Sequence, residues 1–157
     1  MDAIVPSPQT ERYRNKMEFS FGYESVRVRT AADGTKTFYD ENPGLGLHKR
    51  GNWREIVRIT DTVLAPAEMI RAKDIIEAFA HQSKLPVWNP FPKKGFWREA
   101  MVRQAHGTGE LLVRLTVGQR TDAEFYAPLI EQLRAELPDL KSFSVLSYGG
   151  VSVPPPN

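Results

Sequence analysis

Apolar side chains recur at every second position from Leu111 to Val117, and this pattern constrains the fold more than any other part of the chain. A period of two is typical of a strand with one buried face. A similar run, Trp97–Ala105, precedes it, and the two are joined by His106-Gly107-Thr108-Gly109. The segment therefore predicts a β-hairpin, and hence a sheet that must cover its apolar face with other elements.

Further strands are predicted in the first 60 residues. Arg12–Thr30 has the period of a strand, but its apolar positions change from odd to even, which predicts a bulge near Gly22–Glu24. Ala31-Ala32-Asp33-Gly34-Thr35 is an Asp-Gly turn that should fold Lys36–Asp40 back as a hairpin. Gly44–Gly51 and Glu55–Thr60 are expected to form a second strand pair.

Two helices are predicted by apolar stripes at helical spacing. Pro66–Gln82 forms the first, and the prolines of Ser83–Pro92 forbid regular structure after it. Thr121-Asp122-Ala123-Glu124 has the pattern of a capping box that opens the second, which ends at Pro138. With a last strand at Ser142–Tyr148, the order predicts an α+β, ferredoxin-like split βαβ sandwich. It has an antiparallel sheet and two helices, and it is extended by N-terminal β-hairpins.

The chain divides into three parts. Residues 1–11 are an extended lead-in, 12–148 form one domain, and 149–157, with three consecutive prolines, are a disordered or linker tail. The 157 residues are 41% hydrophobic and 25% charged, as in an average globular domain. No apolar run approaches the ~20 residues of a membrane span, and the N-terminus lacks signal-peptide features. A cytoplasmic location without membrane contact is expected.

Little in the sequence points to catalysis. There is no cysteine, so thiol nucleophiles, disulfides and cysteine-ligated metals are excluded from this chain. His48, His81 and His106 are isolated in sequence, which favours surface or turn positions over a metal site. Phosphate-binding loops and serine nucleophile motifs are missing as well. We therefore predict no catalytic, cofactor-binding or metal-binding residues here.

Positive charge and aromatic rings coincide in the first 120 residues. This part has 19 basic and 14 acidic side chains, whereas the remainder has 2 and 5. All three tryptophans lie between positions 53 and 97 among lysines and arginines. Cations and flat rings in this arrangement suit the phosphates and unstacked bases of single-stranded nucleic acid. A solvated basic face beside core aromatics would give the same sequence.

Four motifs carry a resemblance to a known family. They are Tyr13-Arg14-Asn15-Lys16-Met17-Glu18-Phe19-Ser20-Phe21-Gly22, Leu45-Gly46-Leu47-His48-Lys49-Arg50-Gly51, Gly95-Phe96-Trp97-Arg98-Glu99 and Thr108-Gly109-Glu110-Leu111-Leu112-Val113. In this order they resemble the RNA (uracil-5)-methyltransferases, S-adenosylmethionine-dependent enzymes that make 5-methyluridine in tRNA and rRNA. The resemblance covers roughly residues 4–147 and corresponds to the family's central domain.

The resemblance implies a fragment that holds substrate. In the family a cysteine thiolate adds to the uracil ring, and a separate Rossmann-like domain holds S-adenosylmethionine. That catalytic domain is absent from this sequence, so S-adenosylmethionine is expected in the parent enzyme only. The expected partners are a tRNA or rRNA stem-loop and the missing C-terminal methyltransferase domain. The alternative is a structural domain that packs on the methyltransferase half and touches RNA little.

Given the family, the RNA-binding residues can be predicted individually. Phosphate contacts are expected from Arg14, Lys16, Lys49, Arg50, Arg98 and Arg103. Trp53, Phe96 or Trp97 is expected to stack an exposed loop base. For the arginines the alternative is a surface salt bridge, and for Trp97 it is core packing against the first helix.

Overall fold

The computed structural model describes residues 4–150, and within them six strands form one sheet with two helices. The strands are β1 (Lys16–Thr30), β2 (Lys36–Lys49), β3 (Asn52–Arg58), β4 (Trp97–Gln104), β5 (Leu111–Val117) and β6 (Leu140–Ser147). The helices are α1 (Ala67–Ser83) and α2 (Ala127–Glu136), with a 3-10 turn at Ala123–Tyr126 before α2. The α+β class, with two helices and added N-terminal strands, is thus confirmed. The predicted tail lies outside the described residues from position 151 onward.

The strand order is β2-β3-β1-β4-β5-β6, and β1, β2 and β3 each pair with the other two. A ferredoxin-like split βαβ order would place β6 beside β3 in an antiparallel sheet. Instead β6 lies at the far edge, parallel to β5, and α2 connects the two. β6 therefore occupies the side of β5 where β3 would lie in the ferredoxin-like order. β3 pairs with β1 and β2 instead, and β1, whose buried Met17 and Phe19 extend the core, joins them to β4.

The N-terminal hairpin forms at the predicted turn. The amide of Gly34, which has a φ of 84°, donates to the Ala31 carbonyl at 3.0 Å. The bulge expected at Gly22–Glu24 is wrong, because β1 and β2 keep one register along the whole hairpin. The apolar positions change parity because the second half of β1 leaves the core, and Val28 on it is exposed. β2 is also one continuous strand where two segments were expected.

The first helix lies within one residue of its predicted bounds, whereas α2 begins at Ala127, six residues after Thr121, and the capping box is wrong. Asp122 precedes the 3-10 turn and makes no side-chain capping bond. The hydroxyl of Thr121 is instead hydrogen-bonded to the Tyr126 hydroxyl at 2.7 Å. Because a 3-10 turn precedes α2, the Thr121 hydroxyl bonds to the Tyr126 hydroxyl and not to the amides of the helix.

The core lies between the helices and one face of the sheet. Trp97 is fully buried at its centre, with the rings of Phe21, Phe79, Phe96 and Phe125 around it at centroid distances of 4.9–6.1 Å. Its indole N–H donates to the Ser83 hydroxyl at 3.0 Å. With both helices on this side, no helix within residues 4–150 covers the other face of β1, β4 and β5.

Across residues 4–150, neither helix combines the length and the apolar character that a bilayer-crossing helix requires.

Candidate nucleic-acid interface

The sheet face opposite the helices is polar, and we call it the open face. Successive β1 residues point to opposite sides, so burial of Met17, Phe19 and Phe21 places Ser20 on the open face. Ser20 pairs across the strands with Glu99 of β4. Glu99 in turn pairs with Thr116 of β5. Hydrogen-bonding side chains from neighbouring strands are therefore brought together here.

A pocket of about 150 Å³ opens on this face, and we call it the sheet pocket. It lies between the middle of the sheet and the loop of residues 84–96 that follows α1. Its lining comprises Ser20, Phe21, Gly22, His48, Trp53, Arg54, Ile56, Trp88, Pro90, Arg98 and Glu99. It thus combines aromatic side chains with a small set of polar groups, as binding sites for small planar molecules do.

Ser20, His48 and Glu99 add hydrogen-bonding groups to those of Arg54 and Arg98 in the pocket. The Ser20 hydroxyl lies 3.0 Å from Nε2 of His48. Burial raises the pKa of Glu99, the charge of Glu18 raises it further, and the charges of Arg114, Lys16 and Arg98 oppose this rise. A partly buried carboxyl of this kind gains from a ligand that donates a hydrogen bond to it.

A cation held between two rings borders the pocket. The guanidinium of Arg54 lies 5.2 Å from the ring centroid of Trp53 and 5.4 Å from that of Phe91. Trp53 itself is 61% exposed. We call these three residues the aromatic–basic ridge. An exposed indole next to a guanidinium can stack a base and attract its phosphate.

Five of the six predicted cations are exposed, and they fall into two groups. Lys16 and Arg103 face each other across β1 and β4, and both are exposed. Arg14 is also exposed and lies just before β1. Lys49 and Arg50 lie at the turn between β2 and β3, close in sequence to Trp53, and Lys49 forms an ion pair with Glu55 at 2.8 Å.

Three of the predicted contact residues are buried, which corrects the expectation for them. Trp97 is 0% and Phe96 4% exposed, so neither ring presents a face to a base, and core packing holds for Trp97. Arg98 is 5% exposed and donates to the carbonyls of Tyr148 and Gly150 at 2.9 and 2.5 Å. Its guanidinium lies 3.9 Å from the Trp88 ring centroid, so it fastens the 84–96 loop rather than facing solvent.

The sequence prediction missed part of the site. Arg54, Phe91, Ser20, His48 and Glu99 were absent from the predicted contacts, although each lines the pocket or the ridge. Arg54 follows Trp53 directly, and this adjacency was a usable signal. The Ser20–His48–Glu99 group was not visible, because it depends on the pairing of three strands that are distant in sequence.

The three histidines lie in three different parts of the structure. Among residues 4–150, no three His, Cys, Asp or Glu side chains are grouped so that they could hold a metal ion. His48 lies in the sheet pocket, His81 is on α1 near Glu77, and His106 is in the β4–β5 turn.

Comparison with known proteins relates the chain to RNA methyltransferases. No family model matches it. It is similar to an uncharacterised RNA methyltransferase of Nitratidesulfovibrio vulgaris, with 31% identity over 137 residues, which is 87% of this chain and 26% of the relative. It is also similar to the tRNA (uracil(54)-C(5))-methyltransferase of Pyrococcus horikoshii, with 25% identity over 94% of this chain and 32% of that protein.

The fold agrees with the sequence comparison. The crystal structure of Pyrococcus abyssi tRNA (uracil-54, C5)-methyltransferase in complex with S-adenosyl-L-homocysteine matches with a TM-score of 0.54 and 22% identity. The match covers 78% of this chain and 25% of that structure. The chain spans about a quarter to a third of the length of these relatives. The predicted resemblance is confirmed: this chain is similar to one region of proteins named RNA methyltransferases, among them a tRNA (uracil(54)-C(5))-methyltransferase.

Proposed function

We propose that this chain is the substrate-RNA-binding part of an S-adenosylmethionine-dependent RNA (uracil-5)-methyltransferase. The observation that carries the proposal is the aromatic–basic ridge, an exposed Trp53 with Arg54 beside it, at the mouth of the sheet pocket. The named relatives supply the class of substrate. Stacking supplies about 1–3 kcal/mol per base, and the surrounding cations add attraction to phosphates.

The chemical step is assigned to other parts of the longer enzymes. The family reaction needs a thiolate, and this sequence contains no cysteine. The residues present also do not fit S-adenosylmethionine. In the parallel β5–α2–β6 unit, Gly118 at the end of β5 packs against the main chain of Gly95, and Gln119-Arg120-Thr121 follow in place of a glycine-rich turn. The role of this chain is to bind and orient RNA.

A second candidate function is supported by β6. This strand forms one edge of the sheet, and it exposes Val145 and Leu146, each 36% accessible. Apolar side chains on an unpaired edge strand favour a protein contact. In this alternative the chain packs on the methyltransferase domain and touches RNA little.

The first test is Trp53→Ala with a stem-loop RNA taken from a tRNA. We expect the wild-type chain to bind with an affinity that falls as salt rises, and the variant to bind about tenfold more weakly, because one stacking platform is lost. Stability should stay unchanged, since the indole is exposed. Fluorescence anisotropy at several salt concentrations measures both effects.

Val63→Ala is the matched control, because Val63 is 62% exposed in the β3–α1 connection, away from the ridge. It should bind RNA as the wild type does. Absence of binding at low salt, or a Trp53→Ala affinity equal to the control, would contradict the proposal. In that case the packing role of β6 becomes the better explanation.

A further inference from the structure

We propose that the sheet pocket holds one unstacked base of the bound RNA, with the ring against Trp53 and Trp88 and the base edge facing Ser20, His48 and Glu99. The inference rests on the proposed function and extends it. It assigns base recognition to the sheet pocket, where the proposal above requires only a surface for phosphates and stacking.

The size of the pocket limits what can enter. A cavity of about 150 Å³ in a protein core is known to hold one benzene-sized ring. The sheet pocket has this volume and is open on one side, where the ribose and phosphate of a nucleotide can remain in solvent. It therefore fits the single six-membered ring of a pyrimidine.

The polar groups in the pocket match the edge of such a ring. Uracil has a ring N–H and cytosine has an amino group. Each of these can donate a hydrogen bond to a carboxylate. Glu99 supplies this acceptor, while the Ser20 hydroxyl and His48 imidazole, 3.0 Å apart, each can donate or accept. An aliphatic ligand would make no hydrogen bond to these groups.

One wall of the pocket, Trp88, is held in place before a ligand arrives. Arg98 lies 3.9 Å from the Trp88 ring centroid and is anchored by its bonds to the Tyr148 and Gly150 carbonyls. Because Trp88 is held in this way, little side-chain freedom is lost on binding. A preformed aromatic wall is typical of sites that select planar ligands.

The pocket and the aromatic–basic ridge form one continuous surface. Trp53 and Arg54 belong to both, since they line the pocket and also build the ridge with Phe91. A strand of RNA lying on the ridge therefore passes the mouth of the pocket, where one base can turn inward while its phosphate stays near Arg54.

The test compares two RNA stem-loops that have the same phosphates. One carries pyrimidines in its loop, and the other carries abasic sites there. The wild-type chain should bind the abasic loop about tenfold more weakly, through loss of stacking and edge contacts. Ser20→Leu should fill the pocket, so that it binds both RNAs equally and as weakly as the wild type binds the abasic loop. Ser144→Leu places the same change on the open face, at β6 and outside the pocket, and should discriminate like the wild type.

Two outcomes overturn the inference: equal wild-type affinity for both loops, or a Ser20→Leu chain that is folded by circular dichroism and still prefers the pyrimidine loop. If the wild type binds neither RNA, the result would instead contradict the proposed function itself. If Ser20→Leu does not fold, the Glu99→Gln variant is used to test the inference instead. We expect about a tenfold loss on the pyrimidine loop and no change on the abasic one, and an unchanged preference contradicts the inference.

Discussion

At the scale of single residues, Glu77 connects α1 to two strands. Its Oε1 accepts the amide of Leu45 at 3.1 Å and lies 3.0 Å from Arg58. Its Oε2 lies 2.9 Å from Nζ of Lys73, a side chain that is only 2% exposed. Burial alone would raise the pKa of Glu77, but the Lys73 and Leu45 hydrogen bonds with the charges of Lys73 and Arg58 outweigh it and hold this pKa below 4.5.

We predict that Glu77→Gln lowers the free energy of unfolding at pH 7 by about 1–2 kcal/mol, because buried Lys73 loses one of its two carboxylate partners, while Asp74 remains 2.9 Å from its Nζ. The pKa of Glu77 is lower in the folded than in the unfolded chain. Its contribution is therefore present above about pH 4.5 and is lost as the pH falls through the folded value. Urea unfolding at neutral and acidic pH should show the difference between wild type and variant shrinking in acid.

The control is Glu131→Gln, since Glu131 is exposed on α2. It should change stability by less than about 0.5 kcal/mol at either pH. A Glu77→Gln chain as stable as this control at pH 7 would show that the Lys73–Glu77 pair does not stabilise the fold.

At the scale of elements, the loop of residues 84–96 carries Trp88 and Phe91 to the candidate interface. It is fastened to the start of β4 by the Trp88 amide, which donates to the Trp97 carbonyl at 2.7 Å. Gly95 permits this contact. It has a φ of 148°, and a Cβ at this position would meet the main chain of Val87 and Trp88.

Gly95→Ala should therefore move the loop and strain the backbone, which costs about 1–3 kcal/mol. We expect a lower melting temperature together with an RNA affinity reduced as in Trp53→Ala, because the wall of the sheet pocket is displaced. Gly107→Ala is the control: it lies in the β4–β5 turn, where a Cβ would meet nothing within 4 Å. If Gly95→Ala lowers stability and leaves RNA affinity unchanged, the loop does not belong to the interface.

The elements that the sequence predicts well are those whose apolar pattern lies within one short segment. The alternation of β5 and the apolar stripe of α1 are visible within a single segment. Trp97 illustrates what is not local. The β4–β5 register shifts between Trp97 and Glu99, so Trp97 and Ala100 both point to the core although alternation would separate them. Strand order likewise depends on pairings between distant segments, and no short pattern encodes it.

The same distinction applies to the candidate site. Exposed cations in turns, such as Arg50, follow from composition and position in the chain. The burial of Arg98 could not be predicted in this way, because it depends on two carbonyl groups some 50 residues further along the chain. Residues that lie at a register shift or bind a distant segment are therefore the ones for which sequence-based assignment fails.

At the scale of the whole molecule, charge and fold divide the chain in the same way. The basic first 120 residues contain every predicted contact residue, and the acidic remainder forms α2 and β6. Because α2 lies on the face away from the sheet pocket, the segment with net negative charge lies away from the candidate interface. Such a distribution orients an approaching polyanion toward the open face.

Substitution of Lys16 and Arg103 tests whether these two cations contact RNA phosphates. The two cations lie directly opposite each other on β1 and β4, an arrangement that costs stability unless an anion lies nearby, although Glu18 offsets part of it at 3.1 Å from Lys16. The double change Lys16→Ala, Arg103→Ala should therefore leave the free energy of unfolding unchanged or slightly higher. It should also lower the slope of log affinity against log salt by about 1.4, since each phosphate contact with a single strand contributes about 0.7.

The matched control for this double variant is Arg134→Ala, Lys141→Ala, which removes two exposed cations from α2 and β6. It removes the same net charge, so a general electrostatic effect would lower the salt slope equally in both variants. A contact with RNA phosphate lowers it only when Lys16 and Arg103 are lost. Equal slopes in the two double variants would therefore show attraction by the whole charge distribution, and the β1–β4 end of the open face would then lie outside the RNA contact.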